Sequence, residues 1–148
     1  MDIKAQLENA LKDAMRSKDE LRKSTIRMVL ASIKMAEVEK GEPLDEQRLL
    51  SLIQKEVKSR QETLSEAQQA GREDLAARAQ AELDILQDYL PRPFSDEELD
   101  ALARQAVAEA GASSVREMGQ VMKILMPRLQ GRATGEQASQ AVRKLLQS

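Results

Sequence analysis

Apolar residues in this chain recur at intervals of three and four almost from end to end, a rhythm that admits helices and little else. Ile3, Leu7, Leu11 and Met15 open the series, and Leu21, Ile26, Val29, Leu30, Ile33 and Ala36 continue it. Leu49, Leu52, Ile53, Val57 and Leu64 follow, then Leu75, Ala79, Leu83, Leu86 and Leu90. Three further stripes complete the chain: Leu99, Leu102, Ala103 and Val107; Val115, Met118, Val121, Met122, Leu125 and Leu129; Ala138, Ala141, Val142, Leu145 and Leu146. Each stripe covers one side of a helix and needs a neighbour to bury it. With 32% charged residues, 41% hydrophobic, six Gly and four Pro, the composition fits an all-α protein.

Punctuation between the stripes places the boundaries. Asp2 caps a first helix to Arg16, Ser17-Lys18 breaks it, and Asp19 caps a second through Lys40. Gly41 and the GEP turn end that helix. A third from about Asp45 to Ala70 would span roughly 39 Å, and it turns polar after Leu64, so its far half is expected to project into solvent. Gly71 leaves only a short link to a fourth helix, Glu73 to Tyr89, which makes the two an antiparallel hairpin. LPRPFS at 90–95 cannot continue a helix. Ser95/Glu98, Ser114/Glu117 and Thr134/Gln137 have capping-box spacing and open the last three helices. The fold read from this is an N-terminal four-helix domain, 1–92, and a C-terminal three-helix domain, 95–148, joined by a proline-containing linker.

What is absent narrows the chemistry. With no His and no Cys there is no Ser–His or Cys–His nucleophile, no ordinary zinc site and no disulfide. No Trp, one Tyr and one Phe give no platform for stacking single-stranded bases. The acidic clusters Asp96-Glu97-Glu98, Glu37/Glu39 and Glu73-Asp74 lie at helix starts or on polar faces, where carboxylates cap or are solvated. Glycine-rich nucleotide motifs and the G-x-S-x-G elbow do not occur. The expectation is therefore no catalytic residue, no metal, no cofactor and no small-molecule substrate. No run approaches a membrane span, the N-terminus lacks the pattern of a secretory signal, and the missing cysteines fit a reducing cytoplasm, the expected location.

Positive charge is concentrated late. Residues 112–148 hold six basic side chains against Glu117 and Glu136, a local +4 in a chain of net −2. Lys123, Arg128, Arg132, Arg143 and Lys144, with Gly119, Gly131 and Gly135, form the candidate RNA-binding set. Local positive charge on a compact helical unit suits phosphate contact, and the plain alternative is a solvated face. Gly119 within a helix suggests close approach by a backbone or ligand, and GRATG suggests helix-N-terminal amides open to an anion. Met118, Met122 and Met126 suit core filling, and Arg27 suits pairing with a carboxylate of the third or fourth helix.

MGQVMKILMPRLQGRATG, LRKSTIRMVLASIKMAEVEKG, GASSVREMG and the long segment from IQKEVKSRQ to PRPFSDEEL together resemble the YqeY-like family over almost the whole chain. The C-terminal part is similar to the tail domain of GatB, the B subunit of tRNA-dependent amidotransferases. The resemblance implies a non-catalytic tRNA-binding module that uses Lys123, Arg128 and Arg132 around Gly119, Gly131 and Gly135. Two alternatives accompany it: an adaptor that binds a protein partner through the third and fourth helices, and a component of a carbon–nitrogen ligase (glutamine as amido donor) whose activity other subunits supply.

Overall fold

A computed structural model describes residues 2–147, and every regular element among them is helical. The helices are α1 (Ile3–Ser17), α2 (Glu20–Lys40), α3 (Glu46–Gln69), α4 (Glu73–Gln87), α5 (Asp96–Ala110), α6 (Met118–Leu129) and α7 (Gly135–Gln147), with a 3-10 turn at Val115–Glu117. They divide into two compact units, Met1–Leu90 and Pro91–Ser148, each with its own apolar core.

The helix starts are capped as their residues dictate. Asp2, Asp19 and Asp45 accept the N–H of Ala5, Arg22 and Arg48 at 2.7, 3.1 and 2.9 Å. Each bond satisfies an amide that the helix itself leaves open, a contribution of about 1 kcal/mol. Gly41 and Gly111 close α2 and α5 in the left-handed region at φ +81° and +64°, where a Cβ would be strained.

In the first unit Leu7, Ile26, Val29, Ile33, Ile53 and Leu86 are almost wholly buried. Two expected core residues lie outside it: Met15 is 50% exposed and Leu75 is 45% exposed. Successive steps of four advance round a helix by roughly 40° each, so the series from Ile3 has rotated off the core by position 15. Ala14, one residue earlier, is buried in its place. Leu50 and Ile85 join the core as well. The far half of α3 packs on α4 through alanines, with Ala67 and Ala79 buried, so the hairpin is closed toward its tip. Arg27 is exposed and makes no ion pair among the described residues. The cation that ties α3 to α4 is Arg60, whose Nε lies 2.6 Å from Glu82 on α4, with Glu56 of its own helix at 3.8 Å.

The second unit closes on Ala103, Ala106, Val121, Leu125, Ala138 and Val142, all fully buried. Three alanines among six core positions let the helix axes approach closely. Pro127 sits in the last turn of α6, which ends at Leu129 on two left-handed residues, Gln130 and Gly131. The expected boxes at Ser95/Glu98 and Thr134/Gln137 form reciprocally. The third does not. Glu117 instead accepts the N–H and hydroxyl of Ser113, Ser114 makes no side-chain cap bond, and a 3-10 turn occupies 115–117, so α6 begins later than the sequence suggests.

Candidate nucleic-acid interface

The C-terminal cations separate into two groups with different surroundings. Arg128 leaves α6 toward α5 and meets Glu109 in a two-pronged pair, Nη1 and Nη2 at 2.5 and 2.7 Å from the two carboxylate oxygens. This fork is the geometry in which guanidinium holds carboxylate most specifically. It holds the Glu109 carboxyl below the usual glutamate range and raises Arg128 in turn. Arg132 is also engaged. Its Nε donates to the Arg92 carbonyl at 2.8 Å, its guanidinium lies 4.0 Å over the Phe94 ring, and Nη2 is 3.5 Å from Glu98. The Phe94 N–H returns a bond to the Arg132 carbonyl at 2.9 Å. Arg132 therefore fastens the Arg92–Phe94 segment to the turn between α6 and α7. The Glu98 carboxyl is held low first by the Ser95 backbone N–H, then by the Ser95 hydroxyl and the nearby Arg92 and Arg132 charges.

Gly131 belongs to this same turn, where its φ of +77° is what glycine supplies. The amides expected to receive an anion are partly committed: the Thr134 N–H bonds to Gln137 Oε1 at 2.9 Å, and the Gln137 N–H to Thr134 Oγ1 at 3.1 Å.

The other group lies along α6 and α7. Lys123, Arg143 and Lys144 are exposed, as is Arg116 in the 3-10 turn, and none of the four has an ion pair among the described residues. The Met126 side chain lies against Gly135; a Cβ there would sit 3.3 Å from the methionine Cε. Lys123 precedes Met126 by three residues and Gly119 precedes Lys123 by four, which puts all three on one side of α6. On α7, Gly135, Ser139 and Arg143 are spaced by four. α7 starts beside the last turns of α6, where Met126 meets Gly135, and it also contacts the 3-10 turn that leads into α6, so the two helices run in opposite directions. Helical spacing thus sets Gly119, Lys123 and Met126 on the side of α6 that meets Gly135, and Ser139 and Arg143 follow Gly135 along α7. Gly119 is exposed in the first turn of α6, and a Cβ there would meet nothing within 4 Å, so no close approach within the chain explains it. Lys144 lies in the last turn of α7.

The 112–148 window overstates the positive charge, because it stops short of the α5 carboxylates that Arg128 and Arg132 meet. Over residues 91–148 eight basic side chains face seven acidic ones, a net +1. What distinguishes the region is the placement of the cations that have no ion pair among the described residues, all on the turn, α6 and α7.

Among the described residues no group of three or more Asp or Glu could hold a metal ion. The first unit carries an open concavity of about 650 Å³ between α2, α3 and α4, lined by Thr25, Met28, Arg60 and Leu75 among others. Its three cations are already paired, Arg60 with Glu56 and Glu82, Arg72 with Asp74 and Arg78 with Glu82.

The sequence matches the YqeY-like protein family over residues 4–146. The chain belongs to the YqeY-like family. Its relatives include a protein of Pyrenophora tritici-repentis named altered inheritance of mitochondria protein 41, mitochondrial, 38% identical over 130 residues, which are 86% of this chain and 71% of the relative. The protein of the same name from Lachancea thermotolerans is 37% identical over 117 residues, 77% of this chain and 63% of the relative. That of Saccharomyces cerevisiae strain YJM789 is 37% identical over 95 residues, 64% and 51%. The YqeY-like chain thus spans between half and about seven-tenths of these relatives. Their names correct the expected cytoplasmic location, since each is called mitochondrial. The cysteine argument never discriminated: a chain with no thiol is indifferent to the redox state of its compartment.

Proposed function

We propose that this YqeY-like chain is a non-catalytic module that binds structured RNA, tRNA in the first instance, through the α6–α7 groove of its C-terminal unit. The observation that carries the reading is that, among the described residues, the cations of this unit without an ion pair, Arg116, Lys123, Arg143 and Lys144, lie on the turn, α6 or α7, while Arg128 and Arg132 are engaged by Glu109, Glu98 and the Arg92 carbonyl. The similarity of the C-terminal sequence to the GatB tail supports tRNA as the ligand, and the scarcity of aromatic rings favours recognition by shape and phosphates over base stacking. The set named from the sequence narrows accordingly: Lys123, Arg143, Lys144, Gly119 and Gly135 stay, joined by Arg116, and Arg128, Arg132 and Gly131 become the framework behind them. Any link to tRNA-dependent amidation runs through the RNA, with the chemistry supplied by other proteins.

The test is titration of the full chain into fluorescently labelled total tRNA across a salt series. Four phosphate contacts give a log–log salt slope of roughly −3. Lys123→Glu with Arg143→Glu should abolish binding at moderate salt, and Arg128→Gln should leave the slope unchanged. No binding at low salt, or equal binding by the double variant, overturns the proposal.

A further inference from the structure

The outer side of α2 carries a second apolar series, met by the rest of the chain at its first residue alone among the described residues, where Arg60 Nη2 lies 3.0 Å from Met28 Sδ. Met28, Ala31, Met35 and Val38 follow one another at intervals of three, four and three and are all exposed, Met35 and Val38 each at 73%. They lie opposite Ile26, Val29 and Ile33, which face the core. This is the a/d pattern of a helix built to pack against another helix.

The charges beside the series are as informative as the series itself. Arg27 and Lys34 flank it on one edge and Glu39 on the other, and none of the three has an ion pair among the described residues. Elsewhere on α2 the charges are matched: Arg22 with Asp19, Lys23 with Glu20, Glu37 with Lys4 and Lys40 with Glu42. On the acidic edge the Ser32 hydroxyl also bonds to Glu56, at 3.4 Å.

We infer that this face is a self-association surface on which α2 pairs in parallel with α2 of a second copy of this chain. The flanking charges select both the partner and the direction. In a parallel pair each Lys34 meets Glu39 of the other copy, the residue five positions on, and Arg27 faces the edge that holds Ser32 and Glu56. Two-fold symmetry makes each contact twice. In an antiparallel pair Arg27 and Lys34 would face their own counterparts, and Glu39 would do the same. Three large side chains cover far less than the ~800 Å² per partner of a standard interface, so the dimer is weak and concentration-dependent.

Sedimentation velocity on the full chain from about 5 to about 500 µM tests the inference by mass action. The weight-average mass should climb from 16.5 kDa toward twice that value. Val38→Glu should hold it at the monomer value throughout. Lys34→Glu and Glu39→Lys, made singly, should each weaken association about tenfold by turning two attractive pairs repulsive. Made together they should restore wild-type association, a rescue that no general surface effect produces. Circular dichroism confirms that each variant is folded. A wild-type chain monomeric at the highest concentration, a Val38→Glu variant that still associates, or a double variant that stays weak each overturns the inference.

Discussion

Arg132 separates two roles for a positive charge in a YqeY-like chain, phosphate ligand and internal clamp, and substitution tells them apart. Replacing it with Ala removes a charged bond to the Arg92 carbonyl and the contact with the Phe94 ring. A hydrogen bond to a charged group contributes about 1.5–3 kcal/mol and a cation–π contact at a semi-exposed site about 0.5–1. The Arg132 side chain remains 27% exposed, so water screens part of this and about 2 kcal/mol is the working figure. For a unit of this size each kcal/mol shifts Tm by about 4–8 °C, which places the change at roughly 8–16 °C. Arg132→Lys keeps the charge but loses the planar fork and the Nε donor, and it should recover less than half of the loss. The assay is thermal and urea unfolding followed by circular dichroism at 222 nm, with tRNA titration of the same proteins below their transitions. The clamp predicts reduced stability for both variants and a salt slope unchanged from wild type. A Lys variant as stable as wild type, or an Ala variant within about 0.5 kcal/mol of it, refutes the reasoning, since ordinary surface changes fall in that range.

Other outcomes follow from the same structure. Leu125→Ala, at a fully buried position, should cost about 2–5 kcal/mol, a large share of what a unit this small possesses, and urea unfolding measures it. Gly119→Ala has room for its methyl and a gain in helix propensity of up to about 1 kcal/mol; unfolding should show a stabilised protein, while tRNA titration should show weaker binding. The Glu109 carboxyl is held below its ordinary value of 4.5, chiefly by its hydrogen bonds from Arg128. Its folded-state value being the lower, the pair's contribution is complete above 4.5 and vanishes as pH falls through the depressed value. The stability gap between wild type and Glu109→Gln should therefore close on the acid side of 4.5, as read by unfolding at a series of pH values.

The parts of the fold visible in the sequence are those fixed by local chemistry. Asp2, Asp19, Ser95 and Thr134 cap the helices they precede, and Gly41 and Gly111 end theirs, because each effect spans only three or four residues. The misplacements come from weaker local signals. Ser114/Glu117 has the right spacing, but Ser113 supplies the donors once the chain tightens into a 3-10 turn. Ala14 and Ala67 were silent because a buried alanine cannot be told from an exposed one by type. The fate of the cations was beyond reach for a different reason. Glu109 lies 19 residues before Arg128 and Glu98 lies 34 before Arg132, so only the packing of α5 against α6 and the following turn reveals the pairs. A charge count over a window registers sign without partner, and Lys123 and Arg143 look no different from Arg128 until the helices are in place.

The two rings of this protein are shared out one to each core: Tyr89 packs against the first and Phe94 against the second. With no tryptophan to mask it, tyrosine emission follows the N-terminal unit alone, and a fluorinated phenylalanine would give a single resonance from the other. Melting, ligand uptake and subunit exchange can thus be assigned to one half or the other in the intact molecule, without cutting it.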